Sequence, residues 1–278
     1  MRIPRFLQDR ISVASQHPRR ISSRLANKLF HSLYPHFSLS DRLSLQQLLM
    51  GGESGDSWAR MYDKAEYPYP PPPGTVGIGS LDFNDASPLG MDIFGWLERR
   101  STATVIQVGA SSGREIAAIA KAFPGCRAIY TDIDETIVAG AQTRYGHVTN
   151  LEFQTCMAHE IDQVLNGVDT NSDIIIVSSG SLQYVHPEHI GQFFDLIKKC
   201  AGDIHIALIE PGHSKTGVLD RASSYRGGFS FTHDYSLYAS SSSLKIETWR
   251  VIRPYLPQSS FGQRSNTIHL YGWFSKDE

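Results

Sequence analysis

Apolar and polar positions follow two rhythms along the chain, and the change between them falls near residue 87. Over residues 1–60, apolar side chains recur at loosely helical intervals, as in Leu25, Leu29 and Leu33 and then Leu43, Leu45, Leu48 and Leu49, with Pro18 and Pro35 interrupting. This spacing predicts short helices that make a cap of residues 1–66. The stretch from Tyr67 to Gly79 holds Pro68, Pro70 to Pro73 and three glycines, which rules out a helix or a central strand. Residues 67–86 therefore read as a linker, and residues 87–278 as the main domain.

In that domain short apolar runs alternate with helical periods. Helical spacing over Pro88–Arg100, Glu115–Phe123 and Glu135–Tyr145 separates apolar Thr104–Val108, Arg127–Tyr130 and Leu151–Phe153, with further runs at Ile174–Val177 and Ile204–Ile209. The alternation predicts an α/β domain with a parallel sheet wrapped by helices. Two extended segments, Lys245–Ile252 and Thr267–Phe274, follow without a helix between them, so a hairpin should close the sheet. The stretch Pro211–Ser243 reads as a long connection that carries His213, His233 and Tyr235 over the sheet edge.

Composition narrows the classes. At 278 residues and 41% hydrophobic content, the chain can bury one full-sized core plus an appendage. A net charge of −2 argues against a protein whose main task is neutralising nucleic-acid phosphates. Cys126, Cys156 and Cys200 are far apart and lack C-x-x-C spacing, so neither a disulfide framework nor a zinc site is expected. No apolar run is long enough to span a bilayer, and a cytoplasmic location is expected. Residues 1–28, rich in Arg and Ser and poor in acids, carry the competing reading of a mitochondrial transit peptide.

The chemistry starts at Val105-Ile-Gln-Val-Gly109-Ala-Ser-Ser-Gly113, where an apolar strand runs into a turn of small residues that opens a helix. Small side chains let a ligand approach the backbone closely. Such a turn alone also fits dinucleotide enzymes and purely structural bends. The discriminating neighbour is Asp132, which ends a second strand roughly 20 residues later, at the distance that suits a carboxylate holding ribose hydroxyls. Its competing role is an N-cap ahead of Glu135, a task for which Asp134 is better placed.

Gly109 to Gly113 together with Asp132 resemble the first two motifs of the class I S-adenosylmethionine-dependent methyltransferases. Asn150 to His159 is similar to that family's third strand and adenine-side loop, Ser172 to Ser181 to its fourth strand, and the closing hairpin to its last strands. The resemblance implies a Rossmann-like three-layer sandwich, with a mostly parallel seven-stranded sheet and an antiparallel C-terminal strand, beneath an N-terminal helical cap. It implies S-adenosylmethionine as cofactor, S-adenosylhomocysteine as product and no metal. Gln107, Gly109, Ala110, Ser111, Gly113, Asp132, Ile133, Met157, Ala158 and Ser178 would line the cofactor site, with Ile133 over one adenine face. Tyr62 and Tyr67 lie in a stretch similar to the aromatic lead-in that folds over the methionine end, where aromatic faces attract the sulfonium. The sequence departs from the family pattern at Gln107 and Met157, where acids are usual, and at Ser111, where a glycine is usual.

Leu182-Gln-Tyr-Val-His186-Pro-Glu-His189 resembles the base-bearing stretch of plant-type small-molecule O-methyltransferases, with His189 at the base position and His186 as second candidate. Glu210 would then orient His189 and stabilise its imidazolium. The plainer alternative is that Pro187 opens a helix with Glu188 at its positive end. The expected activity is methyl transfer to a hydroxyl of a small-molecule acceptor, with no nucleic-acid or membrane partner. The N-terminal cap would act as a lid or build a homodimer. Three rivals stand beside it: a non-catalytic S-adenosylmethionine-binding protein, a methyltransferase acting on a macromolecule, and a nicotinamide-dependent reductase. No Asn-Pro-Pro-Tyr-like motif or aromatic-basic RNA module supports the second.

Overall fold

In the computed structural model, which describes residues 88–212, 222–227, 230–252 and 268–276, the short apolar runs become the strands of a central sheet. The expectations for the cap, the linker, Tyr62, Tyr67 and His213 lie outside the described residues. Helix α1 spans Pro88–Leu97, followed by β1 (Thr104–Val108), α2 (Arg114–Ala122), β2 (Arg127–Asp132), α3 (Glu135–Tyr145) and β3 (Leu151–Thr155). A 3-10 turn at Ala158–Glu160 and the short α4 (Asp162–Leu165) lead to β4 (Ile174–Ser179), a second 3-10 turn at Leu182–Tyr184, α5 (Pro187–Lys199) and β5 (Ile204–Gly212). The small strands β6 (Ser223–Gly227) and β7 (Ser230–His233), α6 (Tyr235–Ser241), β8 (Lys245–Ile252) and β9 (Ile268–Ser275) complete the order.

The sheet runs β3-β2-β1-β4-β5-β9-β8, with β9 antiparallel to both of its neighbours and the other pairs parallel. All five β1 residues are buried, and their alternation feeds two cores. Val105 faces the core that α1, α2 and α3 cover, beside Leu89, Ile93, Ile116, Ile119 and Tyr130. Ile106 and Val108 face the opposite core with Ile190, Phe193, Phe194 and Ile197 of α5. Those four α5 positions recur at i, i+3, i+4 and i+7, one apolar stripe laid on the sheet. Each fully buried side chain of this size contributes about 1.5–3 kcal/mol.

Strand order reverses between β1, which is followed by β2, and its other neighbour β4. In an open parallel sheet the crevice beyond the carboxyl ends at such a reversal is where ligands bind. Gly109, Asp132, Ser179 and Glu210 therefore emerge at one edge. The stretch Pro211–Ser243, expected as a connection, instead holds the β6–β7 sheet and α6. Its strands are too short and too interrupted by polar residues to declare themselves by period.

Candidate active site

The turn after β1 takes the shape that its small residues permit. Gly109, Ser111 and Gly113 have φ of 63°, 49° and 75°, in the left-handed region that glycine enters without steric cost. A Cβ on Gly109 would stand 2.5 Å from both Cβ and Oγ of Ser181. One on Gly113 would press the Tyr130 ring at 3.1 Å. Three carbonyls of the turn are braced from behind: Tyr130 Oη donates to Ser111 O (2.6 Å), an Arg144 guanidinium N–H to Ser112 O (3.0 Å), and Ser181 Oγ to Gly109 O (2.9 Å). Tyr130 and Arg144 were not singled out by sequence. Their signal is only that a Tyr sits at a buried strand position and an Arg in the last turn of α3.

Asp132 lies against this turn. Its Oδ2 accepts the Ser111 N–H at 2.9 Å and its Oδ1 the Asp134 N–H at 3.3 Å, while Ala110 N donates to Thr131 O at 2.9 Å. The carboxylate is 8% exposed, and burial raises its pKa although the amides of Ser111, Asp134 and Ile133 pull the other way. Asp134 takes the capping role, with its side chain accepting from Thr136 N and Ile137 N. Ile133 is exposed beside it, an uncovered apolar side chain at the tip of β2. Gln107 is buried in β1. Its amide nitrogen reaches Glu115 at 3.4 Å and its Oε1 has no hydrogen-bond partner.

On the far side of β2, Met157 is half-buried and N-caps the first 3-10 turn, while Ala158 is buried within it. His159 follows and stacks on His189 with ring centroids 4.3 Å apart and planes 15° apart. Burial first, and the neighbouring His189 second, lower the His159 pKa. His159 was not anticipated, because nothing in its local sequence announces a partner 30 residues on.

The loop after β4 is organised by Glu210. This side chain is fully buried, and its Oε1 accepts from Ser178 Oγ (2.6 Å), Ser181 N (3.1 Å) and Leu182 N (3.1 Å), while Oε2 accepts from Gln183 N (3.2 Å). Burial pushes its pKa up to about 7 against these four donors. The expected His189–Glu210 pair does not form, because a run of consecutive backbone amides already takes the carboxylate. Ser178 is fully buried, with its hydroxyl on Glu210.

His186 behaves as the plainer alternative expected. It N-caps α5, with Nδ1 accepting from Glu188 N at 3.3 Å and Pro187 in the first turn. His189 sits one turn on, half-buried, with its Nε2 buried and without a hydrogen-bond partner. The structure thus brings Gly109, Ala110, Ser111, Gly113 and Asp132 together at one crevice. It gathers His159, His186 and His189 into a cluster over α5 and leaves Glu210 beneath the β4 loop. Among the described residues no group of three or more His, Cys, Asp or Glu is placed to hold a metal ion, and no helix is long and apolar enough to cross a membrane.

A family profile described as a methyltransferase domain matches residues 105–201. No curated protein sequence matches the chain. Among solved structures, a putative sarcosine dimethylglycine methyltransferase from Galdieria sulphuraria has a TM-score of 0.53 at 12% identity, covering 81% of this chain and 98% of its own. A magnesium protoporphyrin IX methyltransferase from Synechocystis, solved with bound S-adenosylhomocysteine, has a TM-score of 0.52 at 14% identity and covers 85% and 100%. A geranyl diphosphate C-methyltransferase from Streptomyces coelicolor has a TM-score of 0.51 at 11% identity and covers 80% and 98%. These likenesses establish the fold. The methyltransferase profile adds what the fold alone leaves open: residues 105–201, from the strand before the glycine turn through the end of α5, are similar to a methyltransferase domain.

Proposed function

We propose that the chain transfers the methyl group of S-adenosylmethionine to a hydroxyl of a small molecule, with His189 as the group that accepts the hydroxyl proton. The observation that carries this reading is the Nε2 of His189, buried beside the carboxyl edge of the sheet and lacking a hydrogen-bond partner. Buried polar atoms are nearly always paired, and an acceptor hydroxyl would pair this one.

The crevice fits the cofactor. The left-handed turn at Gly109–Gly113 offers a side-chain-free backbone, the Asp132 carboxylate keeps lone pairs for ribose hydroxyls, and exposed Ile133 gives adenine an apolar face. Met157 and Ala158 would border the adenine on the other side. The bare Oε1 of Gln107 suits an N–H donor such as the ammonium of the methionine end. When bound, the sulfonium supplies an electrophilic methyl group. The chain's own work is then alignment and proton removal, because in-line displacement demands a near-attack geometry and a hydroxyl must lose its proton as it attacks. The His159 stack holds the His189 ring plane, the positioning that a carboxylate partner was expected to supply.

The test uses S-adenosylmethionine carrying an isotope-labelled methyl group against panels of phenols, sugar-like alcohols and amines. Label should enter hydroxyl acceptors. His189→Asn should lower kcat by about 100- to 10,000-fold and leave S-adenosylhomocysteine affinity within about twofold. Transfer confined to nitrogen or carbon acceptors, or an unaffected His189 variant, defeats the reading.

A further inference from the structure

The β6–β7 hairpin and α6 contain a buried polar chain that the reaction, as described, does not use. His233 is fully buried. Its Nε2 lies 3.0 Å from Val185 O, its Nδ1 lies 2.6 Å from Ser223 Oγ, and Ser223 Oγ lies 2.8 Å from Tyr238 Oη. The proton positions follow from chemistry. A carbonyl only accepts, so Nε2 carries the hydrogen; in the neutral ring Nδ1 is then bare and must accept from the Ser223 hydroxyl. That uses the one hydroxyl hydrogen of Ser223, so its oxygen accepts from Tyr238. The chain therefore runs one way, from the Tyr238 hydroxyl through Ser223 and the imidazole to the Val185 carbonyl.

Val185 immediately precedes His186, and the hairpin touches that residue as well. The Phe231 ring meets the His186 ring edge-on at 5.6 Å and 90°. His186 in turn lies edge-on to His189 at 6.3 Å, and His189 stacks on His159. One hydrogen bond and one ring contact thus anchor the end of a row of rings that crosses from β7 to the loop after β3.

We propose that His233 is a positioning residue, a neutral imidazole clamp through which the β6–β7 hairpin and α6 hold the Val185–His186 segment and so fix the rings of His186 and His189. The proposal deepens the reading that His189 serves as base and rests on it for its catalytic meaning. A second ring proton would make Nδ1 a donor and reverse the chain, with the Ser223 hydroxyl accepting from the ring and donating to Tyr238, so the order from Tyr238 to Val185 belongs to the neutral ring. Among the described residues, the groups facing it are the Tyr235 and Tyr238 rings of α6, the Ser223 hydroxyl and His186, a group of like sign that opposes a charge on the clamp. Burial, chiefly, lowers the His233 pKa to about 4.

Long-range proton–nitrogen spectra of histidine-labelled full-length protein, recorded between about pH 5 and 8 with and without S-adenosylhomocysteine, provide the test. His233 should show the Nε2–H tautomer and should not titrate across this range. In His233→Leu the ring signals of His186 and His189 should lose their fixed tautomer pattern, while S-adenosylhomocysteine affinity stays within about twofold. His233→Gln, whose amide can still donate to Val185 and accept from Ser223, should restore the pattern, which a merely space-filling role would not do. With a turned-over acceptor, His233→Leu should lower kcat about tenfold with the donor KM unchanged. Should the leucine variant fail to fold, Ser223→Ala removes the donor to Nδ1 and should move the His233 and His186 signals together. An Nδ1–H tautomer, titration of His233 near neutrality, or unchanged His186 signals in either variant overturns the clamp. Expected spectra alongside an acceptor methylated only at nitrogen would instead overturn the hydroxyl-base reading and leave the clamp standing.

Discussion

Two buried groups on either side of the β4 loop should pull stability in opposite directions as pH changes, and removing either one should expose the other. The Glu210 carboxyl is raised from the ordinary 4.5 to about 7, so the folded state retains a proton that the unfolded chain gives up. Its contribution is fully present below about pH 4.5 and is lost as pH rises to about 7, a fall of roughly 3 kcal/mol. His233 is lowered from the ordinary 6.5 to about 4, so the folded state refuses a proton that the unfolded chain accepts. Its contribution is present above about pH 6.5 and is lost as pH falls to about 4, again by roughly 3 kcal/mol. Both side chains are fully buried, so neither figure needs discounting for solvent screening. Between about pH 4.5 and 6.5 the two slopes nearly cancel in the wild-type protein. Glu210→Gln should leave the His233 slope uncovered, so that urea-unfolding free energy rises with pH relative to wild type. His233→Gln should show the reverse. The assay is urea unfolding by tryptophan fluorescence at fixed ionic strength across that range, with unchanged m-values as the check on two-state behaviour. Differences between variant and wild type remove the common contribution of the surface carboxylates. A Glu210→Gln difference that stays constant from pH 4.5 to 7 would mean the carboxyl titrates as an ordinary glutamate, and the account of a buried acid opposed by four donors would be wrong.

Three further outcomes are expected. Gly109→Ala puts a methyl 2.5 Å from Ser181 on a backbone at φ 63°; it should cost about 1–3 kcal/mol of stability and weaken S-adenosylhomocysteine binding by at least about tenfold in calorimetry, with partial recovery when Ser181→Gly is added. Asp132→Ala removes a charged acceptor of ribose hydroxyls, and a loss of about 3 kcal/mol corresponds to roughly a hundredfold weaker S-adenosylhomocysteine binding; unchanged affinity in a folded variant would remove Asp132 from the site. Tyr130→Phe deletes the hydroxyl that donates to Ser111 O; about 1 kcal/mol and a drop in Tm of a few degrees should follow, measurable by calorimetric scanning.

The parts of this protein that could be read from sequence are those whose physics is local. The strand before Gly109, the helix stripe of Ile116 and Ile119 and the acid at the end of β2 each rest on period or on turn chemistry within a few residues. Asp134 as cap and Asp132 against the turn follow the same rule, since both bond groups close in the chain or one strand away. What escaped is the pairing that folding alone brings about. The resemblance to plant-type O-methyltransferases puts Glu210 beside His189, yet three successive amides of the β4 loop have a prior claim on its oxygens. The His159–His189 stack joins loops 30 residues apart, and the β6–β7 hairpin lacks the alternation that would have marked its strands. Gln107 and Met157, which depart from the acidic pattern of the family that the sequence resembles, lie in buried β1 and at the turn after β3. Backbone position there is set by neighbouring strands more than by the side chain's charge.

The turn after β1 is supported through its carbonyl oxygens, by a phenol, a guanidinium and a serine hydroxyl that all approach from the protein side. Of its own side chains, Ala110 packs into the core and Ser112 is buried, which leaves Ser111 partly open. Exchange of Ser111 for another small residue would leave these three supporting bonds in place, because each of them is made to main-chain oxygen. Ser111 keeps a φ of 49° because its main chain is held on both sides: its N–H bonds the Asp132 carboxylate and its carbonyl accepts from the Tyr130 hydroxyl.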